Sequence, residues 1–209
     1  KEKEAAELRT EKLEAELKFL KSQINPHFLF NALNNIYTLT LLKSEHAPEN
    51  LLKLSGMLRY MLYDCKADQV PLGKEIEYLR HFIDLHLLKD SRGLNVEVDL
   101  DESRPDFPIA PMLLIPFVEN AFKHSRVEDR EKGWIKIILQ TTGDQLLFRV
   151  DNSLPASGFS KDQAGGIGLD NVRRQLELLY PGKHELTIEA GPEVFSVRLR
   201  ILPDKMDED

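Results

Sequence analysis

The sequence predicts an α+β protein in which an N-terminal helical hairpin precedes a two-layer domain of helices packed on a sheet. Apolar residues recur at helical spacing up to about residue 89, and a period-two alternation begins at about residue 94. From there to the C-terminus, segments with strand and helix patterns follow one another. The expected organisation is a coiled-coil helix over 1–25, helices over 26–90 and the two-layer domain over 91–209.

The amino-acid composition argues against several classes of protein. The chain has 209 residues, of which 42% are hydrophobic and 30% are charged, as in folded globular domains. Its net charge of −7, with no basic stripe, argues against a nucleic-acid-binding protein. The single cysteine, Cys65, excludes a disulfide framework and fits a reducing compartment.

No apolar run reaches the roughly 18–20 residues of a membrane span, and no signal peptide is present. The sequence begins inside a helical pattern and without Met, so we expect a fragment of a longer protein. The residues alone leave open a membrane span upstream of residue 1.

The first helix carries a heptad pattern. Leu13, Leu17, Leu20 and Ile24 are spaced by four, three and four residues, which favours a two-stranded coiled coil over a single solvated helix. The apolar pattern continues beyond Pro26 to about residue 43. A kinked continuous helix is the preferred interpretation, and a fresh helix with an N-cap just before the proline is the alternative.

The next segments predict a hairpin and a third helix. Residues 44–48 form the expected turn, 49–64 the returning helix, and 74–89 the third helix, in which His81 and His86 are interpreted as structural. Two helices cannot enclose a core alone, so we expect a homodimer that pairs two hairpins into a four-helix bundle.

The C-terminal half alternates between strand and helix patterns. The expected helices cover 109–125 and 168–180, and the expected strands cover 94–100, 134–140, 145–151, 184–190 and 194–202. The strands 134–140 and 145–151 form a hairpin around a turn at 142–144.

His27 is the candidate phosphoryl acceptor. It follows Pro26, and Asn31 lies one helical turn later on the same face. An uncharged imidazole can act as a nucleophile at neutral pH. The alternative is a capping or half-buried histidine beside a kink.

Three further groups of residues are typical of a nucleotide-binding site. Asn120, Lys123 and His124 share about one helical turn, where an amide oxygen suits Mg²⁺ and an ammonium suits phosphate. The alternative is a polar last turn favoured by the helix dipole. Asp151 ends a hydrophobic strand and could accept from an exocyclic amine such as that of adenine, or could simply be a turn aspartate.

Glycines precede the helix at about residue 168. Gly165, Gly166 and Gly168 expose backbone N–H groups at a helix N-terminus, which favours phosphate. The segment is not a P-loop, since no Gly-Lys-Ser/Thr follows. Metal, base and phosphate contacts thus occur in one order within about 50 residues.

Together these stretches resemble a known family. The motifs QINPHFLFNALNNI, PFVENAFKH, VDNS and GGIGLDNVRRQLELLYPG are similar to those of the cytoplasmic core of LytS/YehU-type sensor histidine kinases. The resemblance implies a dimerising hairpin that carries the phosphorylated histidine and an ATP-binding domain of the GHKL (Bergerat) type. It implies autophosphorylation by ATP with Mg²⁺, and phosphotransfer to an aspartate in the receiver domain of a response regulator.

The resemblance also implies residue roles. His27 matches the phosphoacceptor, and Asn31 matches a position that orients water for phosphatase activity. Asn120 matches the Mg²⁺-binding amide, and Asp151 the adenine-binding aspartate. The remaining implied ATP-binding residues are Lys123, His124, Asn152, Gly166, Gly168 and Leu169, with 152–165 as the lid over the nucleotide.

Some positions depart from the family pattern. Ser153 stands where many relatives have glycine, and Gln175 where they have arginine, so lid geometry and phosphate contacts are expected to differ. Phe28, directly after His27, leaves no carboxylate to polarise the imidazole. Pro116 replaces the glutamate that activates water in GHKL ATPases, which disfavours a first alternative function, ATP hydrolysis. A second alternative is a catalytically weak dimerisation and docking module.

Overall fold

The computed structural model describes residues 26–88, 95–125, 131–154 and 167–202. The coiled coil expected over 1–25, the choice between a kink and an N-cap before Pro26, and most of the expected lid lie outside these residues. The described residues form two compact units. The first contains 26–66 and 81–88, and the second contains 67–80 together with the rest of the described chain.

The first unit is built on a helical hairpin. Helix α1 spans Pro26–Leu41, helix α2 spans Ala47–Tyr63, and a short 3-10 turn follows at Asp64–Lys66. Helix α1 ends two residues earlier than expected because Lys43 adopts a positive φ of 51°. The amide of Ser44 then donates to the Leu39 carbonyl over 2.9 Å, which closes the helix end.

Packing inside this unit uses one side of each helix. Ala32 and Ile36 are the buried apolar side chains of α1, and Leu54, Met57 and Met61 are buried in α2. Helix α3, Leu72–Leu87, contributes its C-terminal half to the same unit. Lys53 joins α2 to this half, since its Nζ lies 2.7 Å from Asp84 Oδ2.

The second unit contains a five-stranded sheet. Its strands are β2 Val96–Leu100, β4 Ile135–Thr142, β5 Gln145–Ser153, β6 His184–Ala190 and β7 Val194–Ile201. Their order is β2-β4-β5-β7-β6, with β2 and β4 parallel and the other pairs antiparallel. A separate small pair joins β1, Val70–Pro71, to β3, Pro108–Ile109.

Two helices cover one face of this sheet. They are α4, Ile115–His124, and α5, Ile167–Leu179. The Phe117 ring of α4 packs on Phe148 of β5 with centroids 6.2 Å apart. Leu169, Val172 and Leu176 form the buried stripe of α5. The expected α+β architecture, with helices layered on a sheet, is confirmed.

Helix α4 is shorter than expected, because residues 109–114 are not helical. Ile109 belongs to β3, and Met112 has a positive φ of 59°. Glu75 of α3, only 1% exposed, accepts from the amides of Met112 at 2.7 Å and Leu114 at 3.4 Å. These backbone donors therefore bond to a distant carboxylate rather than to helix carbonyls.

Candidate functional site

His27 lies exposed on the first turn of α1. The amide nitrogen of Asn31 lies 3.2 Å from Nδ1 and 3.4 Å from Nε2 of the ring. It can donate to whichever ring nitrogen carries the lone pair, and the other nitrogen then carries the proton. The structure thus brings His27 and Asn31 together as the helical spacing predicted.

The residue after His27 anchors this turn in an aromatic cluster. The Phe28 ring stacks on His86 at 4.8 Å between centroids and lies 4.7 Å from Phe82. His86 Nδ1 donates to the Phe82 carbonyl over 3.1 Å, so His86 has the structural role expected of it. Phe28 therefore holds the start of α1 in place while the imidazole beside it faces solvent.

The second unit contains buried polar atoms that lack partners. Among the described residues, Asn120 Nδ2, Ser125 Oγ and Asn152 Oδ1 are buried and accept or donate no hydrogen bond. Buried polar groups are nearly always paired in folded proteins, because an unpaired one costs about 1–3 kcal/mol. Two of the three belong to positions that the sequence assigned to nucleotide binding.

Asn120 lies on the sheet side of α4. It follows Phe117 by three residues, and Phe117 packs on the sheet. The oxygen and nitrogen of an amide exchange when its terminal bond turns over, so this side chain can present its oxygen to a cation. Magnesium bound through phosphates needs only one or two protein ligands, and the residue fits that requirement.

The last turn of α4 groups three titratable residues. Burial raises the pKa of Glu119 to about 7, and the positive charge of Lys123 offsets part of that rise. Burial lowers the pKa of His124, and Lys123 lowers it further. At neutral pH His124 is therefore largely uncharged, while Lys123, which is exposed, supplies the positive charge at this helix end.

Asp151 and Asn152 point to opposite sides of the sheet. Asn152 is fully buried and lies on the face that α4 and α5 cover, between Ile135 and Phe195 in the neighbouring strands. Asp151 lies on the other face, where Ser196 Oγ donates to its Oδ1 and Arg149 Nε lies 2.6 Å from its Oδ2. The structure therefore places Asn152, and not Asp151, in the same layer as Asn120.

The side chain of Ser153, the last residue of β5, has a structural role. Its hydroxyl accepts from the Trp134 amide over 3.0 Å and can donate to the Trp134 carbonyl, 3.3 Å away. Its own amide donates to the same carbonyl over 3.0 Å. The side chain extends the pairing of β5 with the residue before β4, so the described structure gives it no contact in the layer under α4.

The first turn of helix α5 contains two of the residues that the family resemblance assigns to ATP binding, Gly168 and Leu169. Gly168 is exposed, and an added Cβ would meet no heavy atom of the described residues within 4 Å, so packing does not require glycine there. Leu169 is 2% exposed and belongs to the core. Gly166 lies outside the described residues.

Sequence reasoning missed Glu75. Its position alone carried a signal, because it shares the apolar stripe of α3 with Leu72, Ile76 and Leu79, which are all buried. A charged residue on such a stripe requires partners. Its partners are backbone amides in the loop before α4, which lies 37 residues away in sequence, so the sequence pattern does not reveal them.

Comparison with known proteins identifies the relatives. A family model described as "Histidine kinase" matches residues 15–92. The chain is 31% identical over 207 residues to the sensor protein LytS of Staphylococcus haemolyticus, covering 94% of this chain and 35% of that protein. The chain is therefore similar in sequence to the LytS sensor proteins over most of its own length. The family resemblance of its motifs is thereby confirmed.

Two more comparisons extend this result. The sensor histidine kinase/phosphatase LytS of Staphylococcus aureus strain Mu50 is 28% identical over 190 residues, covering 85% of this chain and 32% of that protein. The solved structure of a bacterial phosphotransferase matches in fold, with a TM-score of 0.50, 13% identity and coverage of 86% of this chain and 93% of that one. The chain spans about a third of the length of the curated relatives it matches.

The described residues include neither a membrane-spanning helix nor a cluster of metal-binding side chains. None of the helices in 26–88, 95–125 and 167–202 is long and apolar enough to span a bilayer. Within the described part of the chain, no group of three or more His, Cys, Asp or Glu side chains is placed to hold a metal ion.

Proposed function

We propose that this chain is the phosphotransfer and ATP-binding part of a two-component sensor histidine kinase, with His27 as the phosphoacceptor. The observation that carries the proposal is the exposed imidazole of His27, held beside the Asn31 amide on a helix start that Phe28 anchors. A kinase substrate must be accessible to a nucleotide and at the same time ordered. The LytS relatives support the same assignment.

The nucleotide site is proposed in the second unit. Asn120 would hold Mg²⁺, whose chemistry there is to neutralise the charge of the phosphates. Lys123 and the uncharged His124, in the last turn of α4, would donate to phosphate oxygens. Gly166 and Gly168 would let the backbone approach the phosphates at the start of α5. The buried Nδ2 of Asn120, which has no hydrogen-bond partner among the described residues, supports this proposal.

In the proposed reaction a ring nitrogen of His27 attacks the γ-phosphorus of ATP. The N–P bond forms as the bond to the β,γ-bridging oxygen breaks, and ADP leaves with that electron pair. The proton on the other ring nitrogen passes to solvent. The phosphoryl group would then move to an aspartate of a response regulator, and Asn31 would orient water when the regulator is dephosphorylated.

A second copy of the chain is the proposed partner of the hairpin. Helices α1 and α2 carry several exposed apolar side chains, among them Phe30, Tyr37, Leu41, Leu52 and Tyr63. Single exposed apolar residues are common on protein surfaces, but this many on one hairpin are typical of an interface in a helix bundle. We also propose that the chain works on the cytoplasmic side of a bacterial inner membrane, as part of a longer sensor.

Radiolabelling tests the proposal directly. The purified chain is incubated with γ-labelled ATP and Mg²⁺, beside His27→Gln and Asn31→Ala, and the labelled protein is treated with acid and alkali. We expect an acid-labile, alkali-stable label on the wild type, none on His27→Gln, and a label on Asn31→Ala, since its proposed role concerns the regulator. Label that survives in His27→Gln, or release of free phosphate alone, would contradict the proposal.

A further inference from the structure

From Leu146 to Val150, side chains of strand β5 alternate between buried and exposed, and the last three residues of the strand are all buried. Leu146, Phe148 and Val150 are buried on the helix-covered face, whereas Leu147 and Arg149 are exposed on the other. Side chains along a strand alternate with a period of two residues. Asn152 therefore continues the first series, and the residue before it continues the second.

The register with neighbouring strands gives the same result independently. Asn152 pairs with Ile135 of β4 and Phe195 of β7, which are 1% and 2% exposed. Asp151 pairs with Lys136 and Ser196. A one-residue shift that exchanged the two faces would bury the charged residues of three strands, so the register is strongly determined.

Asp151 lies on the charged face of the sheet, where both of its carboxylate oxygens have partners. Besides its bonds to Ser196 and Arg149, the same face carries an ion pair between Lys136 and Glu97 at 2.7 Å and one between Arg198 and Glu189 at 3.7 Å. Each oxygen of this carboxylate therefore has a partner on the face away from the helices. Its role is to tie β5 to its neighbour β7.

Asn152, in contrast, has unused capacity where a ligand would need it. Its side chain is fully buried, and its Nδ2 donates to the Ser153 carbonyl over 2.9 Å. Its Oδ1 is buried without a partner among the described residues. With the nitrogen fixed by that bond, the oxygen needs a donor to offset its desolvation.

We propose that Asn152, and not Asp151, recognises the base of the bound nucleotide, with its Oδ1 accepting from an exocyclic amino group. This inference rests on the proposed nucleotide site and adds a specificity-determining residue to it. Adenine offers an amino group at its 6-position and can donate. Hypoxanthine, the base of ITP, has a carbonyl at the same position. That carbonyl and Asn152 Oδ1 are both acceptors, so no hydrogen bond could form between them. The chain should therefore discriminate between ATP and ITP with an uncharged side chain.

Calorimetric titration of the whole chain with ATP and with ITP, each with Mg²⁺, tests this. The wild type should bind ATP at least tenfold more tightly than ITP. Asn152→Ala should weaken ATP binding by roughly 10- to 100-fold, as expected for a lost hydrogen bond to a buried acceptor, and should remove the preference for ATP over ITP. Asn152→Asp keeps an acceptor oxygen and should retain the preference.

Asp151→Asn distinguishes the rival assignment. If Asn152 recognises the base, this variant should retain both ATP affinity and the ATP preference. Loss of both in Asp151→Asn, with both retained in Asn152→Ala, would overturn the inference and leave the nucleotide site standing. Equal wild-type affinity for ATP and ITP would also overturn it. A wild type that binds neither triphosphate would instead reject the proposed nucleotide site itself. Far-ultraviolet circular dichroism confirms that each variant is folded, and the ATP to ITP ratio is independent of the active fraction.

Discussion

Asp101 fastens the end of β2 to the neighbouring strand β4. Its carboxylate accepts from Thr141 Oγ1 at 2.6 Å and from the Thr141 amide at 3.0 Å, and also from the amide and hydroxyl of Ser103. These bonds, with that from the Thr141 hydroxyl the largest cause, hold the pKa of Asp101 well below its usual range. The charged form is therefore the one that the folded state favours.

This carboxylate predicts a dependence of stability on pH. A lowered pKa means that the folded state binds fewer protons than the unfolded state below the ordinary aspartate pKa of about 3.9. The contribution of Asp101 is thus present at neutral pH and is lost as pH falls through that range. The difference in unfolding free energy between wild type and Asp101→Asn, measured by urea titration, should shrink from pH 6 towards pH 3.

Asp99→Asn is the matched control, because Asp99 is an exposed aspartate in β2, two residues before Asp101. The decrease towards pH 3 should be larger for Asp101→Asn than for this control. An equal pH dependence of the two variants would show that the hydrogen bonds of Asp101 add nothing to stability.

At the residue scale, local sequence patterns predicted some of the contacts in the candidate site correctly and missed others. The i, i+4 spacing placed His27 beside Asn31 correctly, because helix geometry alone sets that contact. Motif matching assigns Asp151 to the nucleotide, whereas the two-residue period of the same strand places Asn152 on the covered face. The signal for Asn152 was therefore present in the sequence, in the alternation of Leu146, Phe148 and Val150.

At the scale of elements, helices and strands were predictable wherever their own periodicity determines them. The strand 184–190 has the predicted bounds, and the second helix of the hairpin differs by only one or two residues at its ends. The segment before α4 was predicted as helix because its composition is apolar. Its true conformation depends on Glu75, a partner in another element that no local pattern reveals.

Glu75 is expected to stabilise this segment measurably. Both of its oxygens accept from buried amides, whereas a glutamine has only one acceptor oxygen and would turn a donor towards the second amide. Glu75→Gln should therefore lower the unfolding free energy by about 1–3 kcal/mol, the cost of an unpaired buried group. Chemical denaturation followed by circular dichroism measures this.

Glu77→Gln provides the comparison, because Glu77 is exposed on the same helix. It should change the unfolding free energy by less than about 0.5 kcal/mol. Equal effects of the two substitutions would mean that Glu75 is not the partner on which the loop before α4 depends.

At the scale of the whole molecule, the compact units do not follow the order of the sequence. Residues 67–80 join the sheet-containing unit, although they precede the expected boundary near 90–94. Two non-local contacts explain this grouping. Val70 pairs with Ile109, and Glu75 bonds to the loop before α4. Periodicity predicts helix α3 but not that its two halves belong to different units.

The hairpin surface leads to a prediction about assembly. Tyr37 and Leu41 are 63% and 64% exposed on α1, one helical turn apart. Burying a large apolar side chain contributes roughly 1.5–3 kcal/mol, and a twofold interface counts each residue twice. We therefore expect a dimer by sedimentation equilibrium, and an increase of more than about a hundredfold in its Kd for Tyr37→Glu with Leu41→Glu. Leu178→Glu alters a leucine on α5 that is even more exposed, at 72%, and should leave the dimer intact. A dimer that Leu178→Glu disrupts and the double variant does not would place the interface on the sheet-containing unit instead.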